Sequence, residues 1–99
     1  MAKAYWIGRI DVHNPDGYQH YKAANPAIIK KFGGRFVVRS GKFEGEGQSR
    51  AHNVVIELPD YETAMACYRP PEHQENTKRR TPHSTAEIVI IEGYEGPQP

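Results

Sequence analysis

The chain has a single cysteine, Cys67, so it cannot close an internal disulfide. Without a thiol pair there is no redox motif either, and the expected setting is reduced and intracellular, with the cytoplasm as location. Charge of one sign is also missing: 13 basic residues face 12 acidic ones, leaving a net +1. That balance gives neither nucleic acid nor an anionic membrane a footing as partner. Long apolar runs are absent. The opening Met1-Ala2-Lys3-Ala4-Tyr5-Trp6 returns to charge at Arg9, which excludes an ordinary signal peptide. No stretch approaches the roughly 20 apolar residues of a membrane helix. Hydrophobic content is itself thin, at 37% with a mean hydropathy of -0.76. The 99 residues make one domain, expected over 1–93 with a loose tail over 94–99. A core this lean, with no disulfide to staple it, is expected to be completed by a second copy of the chain.

What is present alternates between two kinds of segment. Residues 4–12, 35–40 (with an extension to 43 left open), 53–58 and 87–92 are rich in Val, Ile, Phe or Trp and bounded by Gly, Pro or Asn. They read as strands. A first helix opens at Asn14-Pro15-Asp16, a cap, a first-turn proline and an acid at the positive end of the dipole. Tyr18, Tyr21, Ile28, Ile29 and Phe32 then recur at helical spacing. Pro26 is expected to kink or interrupt this helix, and Gly33-Gly34 to stop it. A second helix opens at Asp60, with Tyr61, Ala64, Met65 and Tyr68 as its inner stripe and Pro70-Pro71 as its end. A short helical extension over 72–80 follows, closed by Thr81-Pro82. Residues 42–50 read as a hairpin loop.

The order β-α-β-β-α-β predicts an α+β fold, a ferredoxin-like sandwich. Its four-stranded antiparallel sheet would carry both helices on one face. Period-two alternation divides the strand residues between its faces. Trp6, Gly8, Ile10, Val12, Phe36, Val38, Val54, Ile56 and Leu58 should meet the helices, with Gly8 marking a close helix approach. Tyr5, Ile7, Arg9, Asp11, Arg35, Val37, Arg39, Asn53, Val55 and Glu57 should face away. That second set is mixed, which suits a sheet facing the sheet of a second copy across a partly wet cleft, a dimeric α/β barrel. A solvated face with scattered apolar residues is the alternative.

Several segments together resemble a known family. They are Ala4-Tyr5-Trp6-Ile7, Asn14-Pro15 with Tyr18 and Tyr21, Gly33-Gly34-Arg35-Phe36, Val54-Val55-Ile56-Glu57-Leu58-Pro59, Ala64 to Tyr68, Pro71-Glu72-His73-Gln74 and Val89-Ile90-Ile91-Glu92-Gly93. In order and spacing they resemble a small bacterial domain-of-unknown-function family, number thirteen-thirty, of the dimeric α/β-barrel superfamily. The resemblance implies a ferredoxin-like subunit and a homodimer with facing sheets. It implies no activity. The wider superfamily spans cofactor-free monooxygenases, muconolactone-isomerase-like proteins, haem-linked enzymes and stress-response proteins, so fold does not settle function. The chain departs from the family pattern at Pro70-Pro71, at His73 in place of a tyrosine, at a short 41–52 loop, and at His52-Asn53 in place of a basic residue.

The candidate site is Arg9, Asp11, Arg35, Arg39, Asn53 and Glu57, with Tyr18, Tyr68 and His73 near the helix ends. Arginine offers a fixed fork for a carboxylate or enolate, so Arg9 and Arg39 are candidate substrate-binding residues, with Tyr18 and Tyr68 packing the substrate. Glu57 and His73 are the candidate proton carriers. The alternative is a structural ion-pair network, for example Glu57 with Arg39. No metal is expected: His13, His20, His52, His73 and His83 are scattered and lack ligand spacing. No cofactor is expected. Lys78-Arg79-Arg80 suits a helix C-terminus better than nucleic acid, and Cys67 reads as a buried structural thiol. Three functions remain open: a cofactor-free oxygenase or isomerase acting on a small oxygenated molecule, a dimeric ligand-binding or protein-interaction module, and a purely structural dimer.

Overall fold

Two side-chain caps fix where the main helices begin. The Asn14 Oδ1 accepts from the Gly17 backbone N–H at 3.3 Å, and the Asp60 Oδ1 accepts from that of Thr63 at 2.7 Å. From these starts the computed structural model describes residues 2–47, 49–69 and 71–99, the side chains of 71–73 excepted. The elements are β1 (Ala4–Val12), α1 (Pro15–Lys31), β2 (Arg35–Arg39), β3 (His52–Leu58), α2 (Tyr61–Tyr68), α3 (Pro71–Arg80), a 3-10 turn (Thr81–His83) and β4 (Ser84–Glu92). The strands form one antiparallel sheet in the order β2-β3-β1-β4, the ferredoxin-like arrangement, in an α+β fold. β4 starts at Ser84, earlier than its apolar run suggests, because its first residues pair with the end of β1. Among the described residues no helix is long and apolar enough to cross a membrane.

Gly33 ends α1 in the left-handed region, at φ +76. Its N–H reaches the Lys30 carbonyl and that of Gly34 reaches Ile29, both at 3.0 Å, the double closure that glycine favours. Pro26 does not interrupt α1, which runs on for a further turn and more. The carbonyl that Pro26 leaves without a helical partner belongs to the exposed Lys22. On α2 the inner stripe is Ala64 and Cys67, both fully buried, while Tyr61 is exposed. Ala64 and Tyr68, which packs on the core, are as expected; Tyr61 falls outside the stripe and Cys67 joins it. Pro70 and the His73 side chain lie outside the described residues.

The core fills one end of the sandwich. Ala4, Trp6, Ile56 and Leu58 from the sheet meet Ile28 and Ile29 from α1 and Ala64 and Cys67 from α2. The Trp6 indole donates to the Ala64 carbonyl at 3.1 Å, and the Tyr68 ring meets the Trp6 ring edge-on at 5.7 Å. The first half of α1 does not join this core. α1 as a whole packs chiefly on α3.

The β2–β3 register holds one irregularity. Phe36 pairs with Ile56, then Val38 pairs with Val55 and Arg39 with Val54, so Val37 is an extra residue. Such a bulge exchanges the faces of all that follows. Val38 therefore lies on the open face, and Arg39 on the helix side, the reverse of the period-two assignment. The open face carries an aliphatic row across all four strands, Val38–Val55–Ile7–Val89. Val89 is 52% exposed. Ion pairs flank the row. Glu57 is gripped by Lys3 at 3.0 Å and Arg35 at 3.2 Å, not by Arg39. Beyond the other side, Arg50 bridges Asp11 at 2.8 Å and Glu87 at 2.7 Å, and the Ala51 N–H donates to Asp11 at 2.9 Å. This cluster pins the end of the β2–β3 loop to β1 and β4.

The pairing shifts these carboxyls. Hydrogen bonds from Lys3 and Arg35 hold Glu57 below its ordinary 4.5. The Ala51 N–H, then Arg50, lowers Asp11 from 3.8, and Arg50 lowers Glu87 from 4.5. A carboxyl with a depressed folded pKa stabilises the fold fully above its unfolded value and loses that contribution as pH falls through the folded one. Arg50→Met is thus expected to lower stability at neutral pH, with its deficit against the wild type shrinking as pH drops below about 4. Urea midpoints across the acid range check this; a deficit constant with pH would count against it. In the core, Leu58→Ala is expected to cost about 2–5 kcal/mol in urea unfolding.

Candidate functional site

Because the first half of α1 stands off the sheet, a cavity of about 590 Å³ opens between them. That size suits a small organic ligand. The strands supply its floor. Trp6, Gly8, Ile10 and Val12 come from β1, Phe36 from β2, Val54 and Ile56 from β3, and Ile88 from β4. Alternation puts these even-numbered residues of β1, β3 and β4 on one side, and Phe36 precedes the bulge. Gly8 is at the centre of the floor. A Cβ built there would meet only Ile10 Cδ1 at 3.7 Å and the Val54 carbonyl at 4.0 Å. No helix comes close, so the missing side chain widens the cavity and does not serve helix packing.

The wall comes from α1: Pro15, Tyr18, Gln19, Tyr21, Lys22, Asn25 and Pro26. Burial pushes the Tyr18 hydroxyl up to about 12 and also raises Tyr21, against which the nearby Arg80 pulls. Both phenols therefore stay protonated and can donate. The start of this wall is fixed to the far end of the sheet. The His83 carbonyl accepts from the N–H groups of His13 at 2.7 Å and Asn14 at 3.2 Å, and the His83 ring lies against Gly17 with no room for a side chain.

The rim joins Arg39, Ser40 and His52. The bulge brings Arg39 here, where its guanidinium sits 4.2 Å from the centre of the Phe36 ring. Ser40 holds a left-handed backbone at φ 54, and its hydroxyl lies 3.2 Å from His52 Nδ1. Among the described residues no Asp or Glu lines the cavity, and its charged side chains are Lys22 and Arg39. The arrangement can hold a mostly apolar molecule whose oxygen atoms are neutral or negative.

The sequence candidates divide between the two sides of the sheet. Tyr18 and Arg39 line the cavity. Arg9, Asp11, Arg35, Asn53 and Glu57 lie on the open face, a full sheet thickness away. Tyr68 packs against Trp6 and does not reach the lining. Three lining residues, Tyr21, Asn25 and His52, escape the sequence reading as site residues. The first two fall on the helix face expected to be core. His52 has no spacing that distinguishes it from the other four histidines. Among the described residues no group of three or more His, Cys, Asp or Glu is arranged to hold a metal ion.

No curated protein matches the chain. Its fold is similar to that of a protein of unknown function from Rhodopseudomonas palustris, with a TM-score of 0.73 and 16% identity over 96% of this chain and 85% of the other. It is also similar to SnoaB, a cofactor-independent oxygenase from Streptomyces nogalater, with a TM-score of 0.69 and 14% identity over 97% of each chain. A dimeric protein of unknown function and ferredoxin-like fold from Bacteroides fragilis gives 0.62 and 14% identity over 94% and 98%. Likeness at these identities speaks for the fold alone. The model of the family described as Domain of unknown function (DUF1330) matches residues 3–94, nearly the whole length, and the chain belongs to that family.

Proposed function

We propose that the helix-side cavity binds a small, oxygenated, aromatic or enolisable molecule, and that the protein acts on it as a cofactor-free oxygenase or isomerase. The observation that carries this is the pairing of an apolar floor with a lining that, among the described residues, holds cations and no carboxylate. The fold it has in common with SnoaB gives the oxygenase reading its direction. Arg39 is the group to orient a negative oxygen at the rim. His52, the one imidazole in the lining among the described residues, is the candidate proton carrier. Glu57 does not suit that task in this cavity, since it faces the other way and its ion pairs favour the charged form. The reading of a non-enzymatic ligand-binding dimer keeps one specific support: among the described residues the lining offers no carboxylate base.

The aliphatic row on the open face is the surface for a second copy. Val38, Ile7, Val89 and Ile91 are all exposed, and a contiguous apolar row of this kind suits burial in a partner. Dimeric ferredoxin-like proteins similar in fold point the same way. We place the homodimer on this face, with the ion pairs of Glu57 and Arg50 flanking the contact.

Two experiments follow. A panel of phenols and enolisable ketones is incubated with the protein under oxygen, reading oxygen uptake and product by NMR. Turnover that disappears in Gly8→Val, and falls about ten-fold in Arg39→Ala, supports the enzyme. Stoichiometric binding without turnover supports the binding protein, and no binding at all sinks both. For the dimer, light scattering at micromolar concentration is expected to give twice the chain mass, and Ile7→Arg to give a folded monomer. A wild-type monomer overturns the dimer.

A further inference from the structure

The α1 wall of the cavity is polar, and it holds one acceptor that nothing meets. Tyr18, Tyr21 and Lys22 line the cavity, and each carries an O–H or N–H donor. Asn25, one turn beyond Tyr21, lines it too. It is 7% exposed, and its Oδ1 has no hydrogen-bond partner. Among the described residues it is the one buried side-chain atom of the lining in that condition. The unmet atoms of Asn76 and Arg80 belong to α3, outside the lining.

For the fold alone, asparagine is a poor choice here. It is a weak helix former, because its amide competes for nearby backbone groups. That cost is ordinarily offset when the amide is paired or lies in water. The Asn25 oxygen has neither, so it carries a desolvation penalty that a donor on a ligand can relieve. The cations make a separate demand. Arg39 and Lys22 are exposed, whereas Asn25 is buried. Among the described residues no carboxylate pairs with either cation. The Arg39 guanidinium lies 4.2 Å from the centre of the Phe36 ring, which ties it to the edge of the floor. A cavity with two cations also disfavours an ammonium as the donor. The lining thus asks for a neutral donor inside and a negative oxygen at the mouth.

We infer that the ligand is a hydroxylated carboxylic acid with a ring-bearing apolar body, its hydroxyl donating to Asn25 Oδ1 and its carboxylate held by Arg39 at the rim. This rests on the cavity being the ligand site, and it names the class of molecule that enters. The hydroxyl enters protonated, since an acceptor repels an oxyanion. The rings lie over Gly8, where the missing side chain leaves room, between Trp6 and Phe36 of the floor. Asn25 selects a hydroxyl over its methyl ether, which has the oxygen without the proton. Such selection is sharp, because a ligand lacking the donor leaves the buried oxygen unmet.

The test is calorimetric titration of the full chain at neutral pH with 6-hydroxy-2-naphthoate, 6-methoxy-2-naphthoate and 2-naphthol. The first is expected to bind about ten-fold more tightly than the second, which lacks the proton, and about ten-fold more tightly than the third, which lacks the carboxylate. Asn25→Leu should erase the first difference and keep the second. Arg39→Ala should erase the second and keep the first, a crossed pattern that general damage to the fold would not give. The wild-type comparison decides the matter even where a variant fails to fold. Should the wild type bind the methoxy compound as tightly as the hydroxy compound, the role of Asn25 is wrong and water meets its oxygen, while the cavity reading stands. Should 2-naphthol bind as tightly as the acid, the carboxylate at Arg39 is wrong. Should none of the three bind while another phenol or an enolisable ketone does, the hydroxy acid is wrong and the cavity stands. Should nothing in either set bind, the cavity reading falls with it.

Discussion

The packing of α1 on α3 is the contact on which the rest of the molecule depends. α1 is fastened at its start by the His83 carbonyl and at its end by Ile28, Ile29 and the glycine turn. Between those points it leans on α3 and not on the sheet. Were it to settle onto the strands, Ile10, Val12 and Val54 would form a second, closed core. Braced as it is, the sandwich is filled at one end and hollow at the other. The filled end supplies stability through close-packed side chains, and the hollow end supplies the cavity.

The same brace explains the polar wall. A helix that packs on another helix behind it and faces a cavity in front has two neighbours of different character. Tyr21 meets both: its ring lies near Arg80 of α3, and it also lines the cavity. In an ordinary sandwich that position is a core residue with no ambiguity. The electrostatics sort in the same way. Among the described residues, the carboxylate ion pairs involving β1, β3 or β4 all lie on the open face, so the cavity is left with cations and neutral groups.

Much of the fold was legible in the residues. Asn14 and Asp60 announce the helix starts because a capping side chain is a local device, and Gly33-Gly34 announces the stop for the same reason. The bounds of β1 follow from composition alone. The site was less legible, for two physical reasons. Period-two counting assumes that no strand carries an extra residue, and Val37 breaks that assumption, so Val38 and Arg39 exchange sides. Alternation also tells which residues face the helices without telling whether a helix comes down to meet them. Leu58 and Gly8 both fall on the helix side by alternation, yet Leu58 is packed into the core and Gly8 floors an open space. Glu57 reads as a base because it is a carboxylate set near arginines on one face; that Arg35 and Lys3 grip it, and not Arg39, depends on strand pairing that counting does not give.

The bulge at Val37 bears on how such a protein can vary over evolution. β1 and β3 are interior strands, and each separates two different surfaces. An inserted residue in either would turn both surfaces inside out at once. β2 lies at the edge and is paired on one side only. An insertion there changes which residues look into the cavity, here delivering Arg39, and leaves the registers of the other strands intact. β2 is thus one edge, as β4 is the other, on which a change of length can alter what faces the cavity while the interior strands accept only substitution.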